Sequence, residues 1–263
     1  MKLVKITFLF IITLITFQCF ATDYYVNDGS VTNDVYTLQA FDGSGNGTSA
    51  DPYGTLQSVF NNHDLGAGDI VYVDAGTYNE VSIEVGSNDE GFTIQGVSEL
   101  LTVFNGNNEP IWYFMAIENA GNDDITIQNL TITNYGISTT NGSGNGLRIG
   151  GGTSDKAITG LTISNVTFDD IDCRNTNSSY GGAIAFTNYA GGGSDLTINN
   201  CTFLNNDSGS GACITNHATT GDVITINVNN SIFHSNSSPI TCAVYRAPNL
   251  SSSVTVNWTS CKF

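Results

Sequence analysis

Leu161-Thr162-Ile163-Ser164-Asn165-Val166-Thr167-Phe168 alternates apolar with polar residues, the period-2 signature of a strand that buries one face. The same octet returns along the chain. It reads I-T-I-Q-N-L-T-I up to Ile132, L-T-I-N-N-C-T-F up to Phe203, I-N-V-N-N-S-I-F up to Phe233 and V-N-W-T-S-C-K-F up to Phe263. The ends are spaced by 36, 35, 30 and 30 residues, so one supersecondary unit is being repeated.

A second strand pattern follows the first within each unit: Gly146-Leu147-Arg148-Ile149, Gly182-Ala183-Ile184-Ala185, Gly211-Ala212-Cys213-Ile214 and Cys242-Ala243-Val244-Tyr245. Clusters such as Asn141 to Gly146 and Gly191 to Asp195 supply the positive-φ and Asx-turn conformations of tight corners. Short strands, tight corners and no helix-length amphipathic segment between them predict an all-β fold, a right-handed parallel β-helix whose rungs hydrogen-bond to one another. Matching positions on neighbouring rungs then lie about 4.8 Å apart. Phe168, Phe203, Phe233 and Phe263 are expected to form an interior aromatic column, and Asn165 and Asn200 an asparagine ladder at a corner.

The amino-terminal third prepares the coil. Leu56, Val59 and Phe60 fall on one face of a short helix after the start signal Asp51-Pro52. That helix is expected to cap the first rung, whose strand edges and apolar interior would otherwise meet water. Strands are expected near Asp69–Val73, Val81–Val85, Phe92–Gln95, Leu101–Phe104 and Tyr113–Ile117. Residues 22–68 thus form the entry and 69–263 the rungs. The chain ends on a rung pattern, so either a partner covers that end or the native protein continues past Phe263; the second is expected.

Residues 1–21 read as a signal peptide, with Lys2 and Lys5 before an apolar run from Ile6 to Phe17 and cleavage expected after Ala21. The mature chain is therefore expected outside the cell or on its surface, and no later apolar run is long enough to span a membrane. Without Lys2 and Lys5, five cations face 24 acids, a net charge of −19. Nucleic acid is a poor partner for such a chain. A polyanionic glycan would be repelled unless a divalent cation bridged it, whereas neutral polysaccharides and surface proteins meet no such barrier. Five cysteines remain at no metal-ligand spacing. A Cys213–Cys242 disulfide and a ladder of buried thiols are both open.

D-P-Y-G-T-L-Q-S-V-F at 51–60, followed by G-D-I-V-Y-V-D-A-G-T-Y at 68–78, resembles the opening of bacterial pectate-lyase-like β-helix proteins. The resemblance implies the fold and leaves activity open, because that opening heads both polysaccharide lyases and proteins without catalysis. G-G-A-I at 181–184, F-L-N-N at 203–206 and F-H-S-N at 233–236 resemble the paired motifs of polymorphic outer-membrane adhesins, which implies surface display. Phe168-Asp169-Asp170-Ile171 departs from that F-x-x-N form.

A lyase of acidic polysaccharide needs a Lys or Arg to abstract a proton and commonly calcium to neutralise the uronate. Arg148, Lys156, Arg174, Arg246 and Lys262 are the only mature cations, and Arg148 and Arg174 are the catalytic candidates among them. A polygalacturonase-like hydrolase needs converging carboxylates. Asp169, Asp170 and Asp172 form the dense acidic group, and alternation would place Asp170 and Asp172 on one face; a solvated strand edge explains them equally. Trp112 and Tyr113 are candidates for stacking on sugar rings. Asp42, Asn46 and Asp51 carry calcium-ligand oxygens in a glycine-rich loop, with a plain turn as the alternative, and no cofactor is required. The reading favoured is a secreted or surface scaffold binding glycans or proteins; a calcium-dependent lyase or a hydrolase is the alternative.

Overall fold

Asn129, Asn165, Asn200 and Asn230 occupy the same position in successive octets, and each adopts a left-handed backbone with φ between 51° and 59°. Asparagine tolerates this conformation better than most side chains, so it bends four of the octets at the same point, and Ser260, with φ of 55°, does so in the fifth. The computed structural model describes residues 21–107, 113–119, 121–136, 146–150, 157–173, 182–188, 193–209, 211–218, 223–241, 243–246 and 253–263. Within them the chain winds as a parallel β-solenoid.

Eight strands form the main path of the largest sheet, each paired in parallel with its neighbour along the path. One register line runs Tyr24, Val71, Ile94, Ile127, Ile163, Ile198, Val228 and Trp258. A second sheet of six strands stacks Ile83, Met115, Leu147, Ile184, Ile214 and Val244. A short third ladder pairs Asp172–Cys173 with Asp207–Ser208. The core lies between these walls, and its members alternate with half-exposed polar residues.

The aromatic column expected from the octets forms. Phe168, Phe203 and Phe233 stack at centroid separations of 5.1 and 4.8 Å with rings within 8° of parallel, and Phe263 follows Phe233 at 5.3 Å. The column extends back through Ile132 and Phe104 to Tyr78. The asparagine ladder differs from expectation. Asn165 Nδ2 donates to Asn129 Oδ1 at 3.0 Å, while at Asn200 it is the backbone N–H that donates, to Asn229 O at 2.9 Å. The stronger amide stitching lies elsewhere, at the F-x-x-N asparagines. Asn206 Nδ2 donates to Phe168 O at 3.0 Å and to Asn236 Oδ1 at 3.0 Å, and Asn236 Nδ2 donates to Phe203 O at 2.9 Å. That motif is a corner staple between rungs. Ile171 stands in its place on the earlier rung, and its N–H donates to Asn206 Oδ1 at 3.2 Å.

The capping helix spans Leu56–Asn62, with Thr55 as N-cap accepting from the Ser58 N–H. Leu56, Val59 and Phe60 are buried, and Phe60 meets Phe92 of a following rung edge-on at 5.6 Å. Its first two N–H groups donate to the Glu80 carboxylate at 2.7 and 3.1 Å. Two expected strands are shorter than their sequence patterns: Ile83–Glu84 and Met115–Ile117. Residues 1–20, the body of the expected signal peptide, lie outside the described residues.

Candidate functional site

The solvent side of the largest sheet follows from the same alternation that buries Ile127 and Ile163. Thr93, Thr126, Thr162, Thr197, Asn227 and Asn257 share one register line. Two residues along each strand, Gln95, Gln128, Ser164, Asn199, Asn229 and Thr259 share another. Neither line contains a charged side chain over this stretch, in a chain with 24 acids. Rung spacing repeats each hydroxyl or amide about every 4.8 Å.

The amides organise one another. Gln128 Nε2 donates to Gln95 Oε1 at 2.6 Å, Asn229 Nδ2 to Asn199 Oδ1 at 2.9 Å and Asn257 Nδ2 to Asn227 Oδ1 at 2.8 Å. Such ladders fix the side-chain rotamers before any ligand arrives. At the amino-terminal end the second line begins with Tyr25 and Tyr72, stacked at 5.4 Å, and Tyr36 leans on Tyr72 at 4.7 Å. The result is a flat polar face with aromatic rings at one end.

A different arrangement occupies the outer side of the second sheet, where Glu84, Ala116, Arg148, Ala185 and Thr215 share a register line. Arg148 pairs with Glu118 at 2.7 Å, the two side chains being 24% and 19% exposed. Its guanidinium lies 4.7 Å from the centre of the Tyr113 ring, whose hydroxyl donates to the Glu84 carboxylate. Burial raises the Glu118 carboxyl above its ordinary value and Arg148 opposes the rise. Burial, reinforced by Glu84, pushes the Tyr113 phenol up to about 12. Arg148 is thus engaged by a carboxylate and a ring. Glu84 and Glu118 were not singled out from sequence. The available signal was the alignment of Met115-Ala116-Ile117-Glu118 with Leu147-Arg148-Ile149-Gly150, which sets Glu118 diagonal to Arg148 on the neighbouring rung.

The acidic group spans the end of one strand, a corner and the start of the next strand. Asp170 turns a corner in a left-handed conformation with φ of 52°; it is exposed and Asp172 half-exposed, with buried Ile171 between them. Asp169 accepts from Asn205 Nδ2 at 3.1 Å, and Asp172 pairs with Asp207 in the short ladder. Asp42 Oδ1 accepts from the Ser44 N–H at 3.3 Å, and Asn46 Oδ1 from the Thr48 N–H at 3.2 Å, both Asx turns. Asp51 takes part through its carbonyl, which accepts from the Asn46 and Gly47 N–H groups. No group of three His, Cys, Asp or Glu able to hold a metal occurs among the described residues. Trp112, Arg174 and Lys156 lie outside the described residues, as does the side chain of Arg246.

Cys201 and Cys261 sit at equivalent corners with Ser231 between them, and each side chain donates to the carbonyl two residues back, at 3.3, 3.5 and 2.9 Å for Cys201, Cys261 and Ser231. Burial raises the Cys201 thiol to about 12. Cys213 is buried, and Cys242 lies outside the described residues. His63 closes the helix beneath two tyrosines, with its ring 4.2 Å from that of Tyr24 and its Nε2 3.0 Å from the Tyr53 hydroxyl. No helix among the described residues is long and apolar enough to cross a membrane. Compared with protein-family models, curated proteins and solved structures, the chain matches none of them, so its parallel β-solenoid architecture rests on its own geometry.

Proposed function

We propose that this chain is a secreted or cell-surface scaffold of the pectate-lyase-like type that binds glycans along the solvent face of its largest sheet. The supporting observation is the pair of uncharged register lines from Thr93 to Asn257 and from Gln95 to Thr259. A polysaccharide is itself a row of repeated hydroxyls, and a rigid row of hydroxyls and amides can meet it without ordering flexible side chains. Tyr25, Tyr36 and Tyr72 offer the aromatic planes on which sugar C–H faces pack. The high negative charge favours neutral polymers over polyanionic ones.

The test is retention of the mature chain on a glycan array and on insoluble neutral polysaccharides, with Thr162→Lys/Thr197→Lys beside the native protein. Both threonines are half-exposed, so the double variant should fold, with circular dichroism as the check. Retention of the native chain that falls about tenfold or more in the variant is expected. Equal retention of the two proteins would remove the face from consideration. Export is tested separately, by an extracellular product whose first residue is Thr22.

The second reading, cleavage of a polysaccharide, is favoured by Glu84 and Glu118 around Tyr113 and Arg148. A raised Glu118 suits proton donation to a leaving oxygen. New reducing ends that disappear in Glu118→Gln would promote this reading above the first.

A further inference from the structure

The segment after the first strand, from Asp28 to Asn33, faces Ala75, Gly76 and Thr77 and the Leu100–Leu101 turn across an open cleft of about 330 Å³. One part of the lining carries oxygen, on Asp28, Ser30, Thr32 and Thr77. Another part is aliphatic, formed by Leu100 and Leu101. Leu100 is 90% exposed, an apolar side chain held in water where nothing in the coil requires it.

Asp28 is set deliberately into this cleft. Its Oδ1 accepts from the Ser30 N–H at 2.7 Å, which fixes the carboxylate in an Asx turn. A Cβ at residue 76 would come within 2.5 Å of Oδ2, so a side chain there would push the carboxylate from its present position. Oδ2 has no hydrogen-bond partner among the described residues.

We propose that this cleft holds one neutral sugar ring, the terminal residue of a glycan, an inference that rests on the glycan-binding reading above. The ring would lay a C–H face on Leu100 and donate a hydroxyl to Asp28 Oδ2, while the Ser30, Thr32 and Thr77 hydroxyls serve its remaining oxygens. Its volume lies at the lower end of the range of ligand pockets, roughly 300–1,000 Å³, which suits a single ring and not a chain. An anionic sugar would meet Asp28 and the negative field of the whole molecule; a purely apolar ligand would cover Asp28 Oδ2 and offer it no donor.

The experiment is a nitrogen-15 NMR titration of the full mature chain with glucose, galactose, mannose, N-acetylglucosamine and, as the anionic member, galacturonate. Polymer retention is measured in parallel for the native chain, Leu100→Asp and Asp28→Asn. Saturable shifts at Ser30, Thr77 and Leu101 with a neutral sugar, weakened about tenfold in both variants, are expected. Leu100→Asp changes an exposed residue, so loss of binding there cannot be put down to unfolding. Polymer retention without saturable shifts in the cleft, or shifts unchanged in both variants, would overturn the cleft alone. Saturation by galacturonate would overturn the neutral class. Absence of both retention and shifts would overturn the glycan-binding reading together with the cleft.

Discussion

Glu80 sits under the amino end of the capping helix, accepting from the Leu56 and Gln57 N–H groups, yet burial outweighs those bonds and raises its carboxyl from 4.5 to about 6. The folded state therefore holds a proton between about pH 4.5 and 6, where the unfolded chain has released its own. Stability from this group is greatest below that window and falls as the pH rises through it, by about 1–2 kcal/mol. Glu80→Gln should flatten that slope, read as thermal midpoints from about pH 4 to 7; an unchanged slope would assign it to other groups. Asn165 offers a backbone test of the same kind. With φ of 53° and its amide on Asn129, Asn165→Ala should cost about 1–2 kcal/mol in denaturant unfolding, and Asn165→Gly distinctly less. The octets made this corner visible because asparagine recurs at one position. They could not show which side-chain amide would find a partner, since that depends on how far each rung is offset from the next.

Packing within the aromatic column depends on depth as well as residue type. Phe203 is fully buried between Phe168 and Phe233, so Phe203→Ala should cost about 3–5 kcal/mol through lost burial and the cavity left behind. Phe263 stands in the same column but is 76% exposed, and Phe263→Ala should cost under about 1 kcal/mol. Urea unfolding of the two variants side by side measures the contrast, and equal losses would mean that the column does not work as described. The helix, the strands of the octets and this column were all legible, because periodicity and residue class suffice to define them. Alternation is a rule for strand interiors, and Asp170 is itself a left-handed corner whose conformation no repeated residue announced.

Across the whole molecule, each rung is stabilised by its neighbours, so protection should fall where a neighbour is lacking. Among the described residues Ser253–Thr259 pairs with Val223–Asn229 alone, and its apolar residues Val254, Val256 and Trp258 are partly exposed, whereas Ile224, Ile226 and Val228 one rung earlier are fully buried. Hydrogen exchange in this chain should be fastest in Ser253–Thr259 among the strands of the largest sheet and slowest near Leu161–Asp169. Uniform protection along the sheet would contradict additive nearest-neighbour stability. The sequence by itself determined that the chain coils in parallel rungs, which residues turn inward and that a short helix covers the first rung, because these depend on local periodicity, corner residues and burial. Only the tertiary structure decided what stands beside what across rungs: Glu118 against Arg148, Tyr113 against Glu84, Asp28 over Gly76. Those contacts join residues separated by tens of positions, and their register depends on the exact length of every intervening turn, which no local pattern encodes.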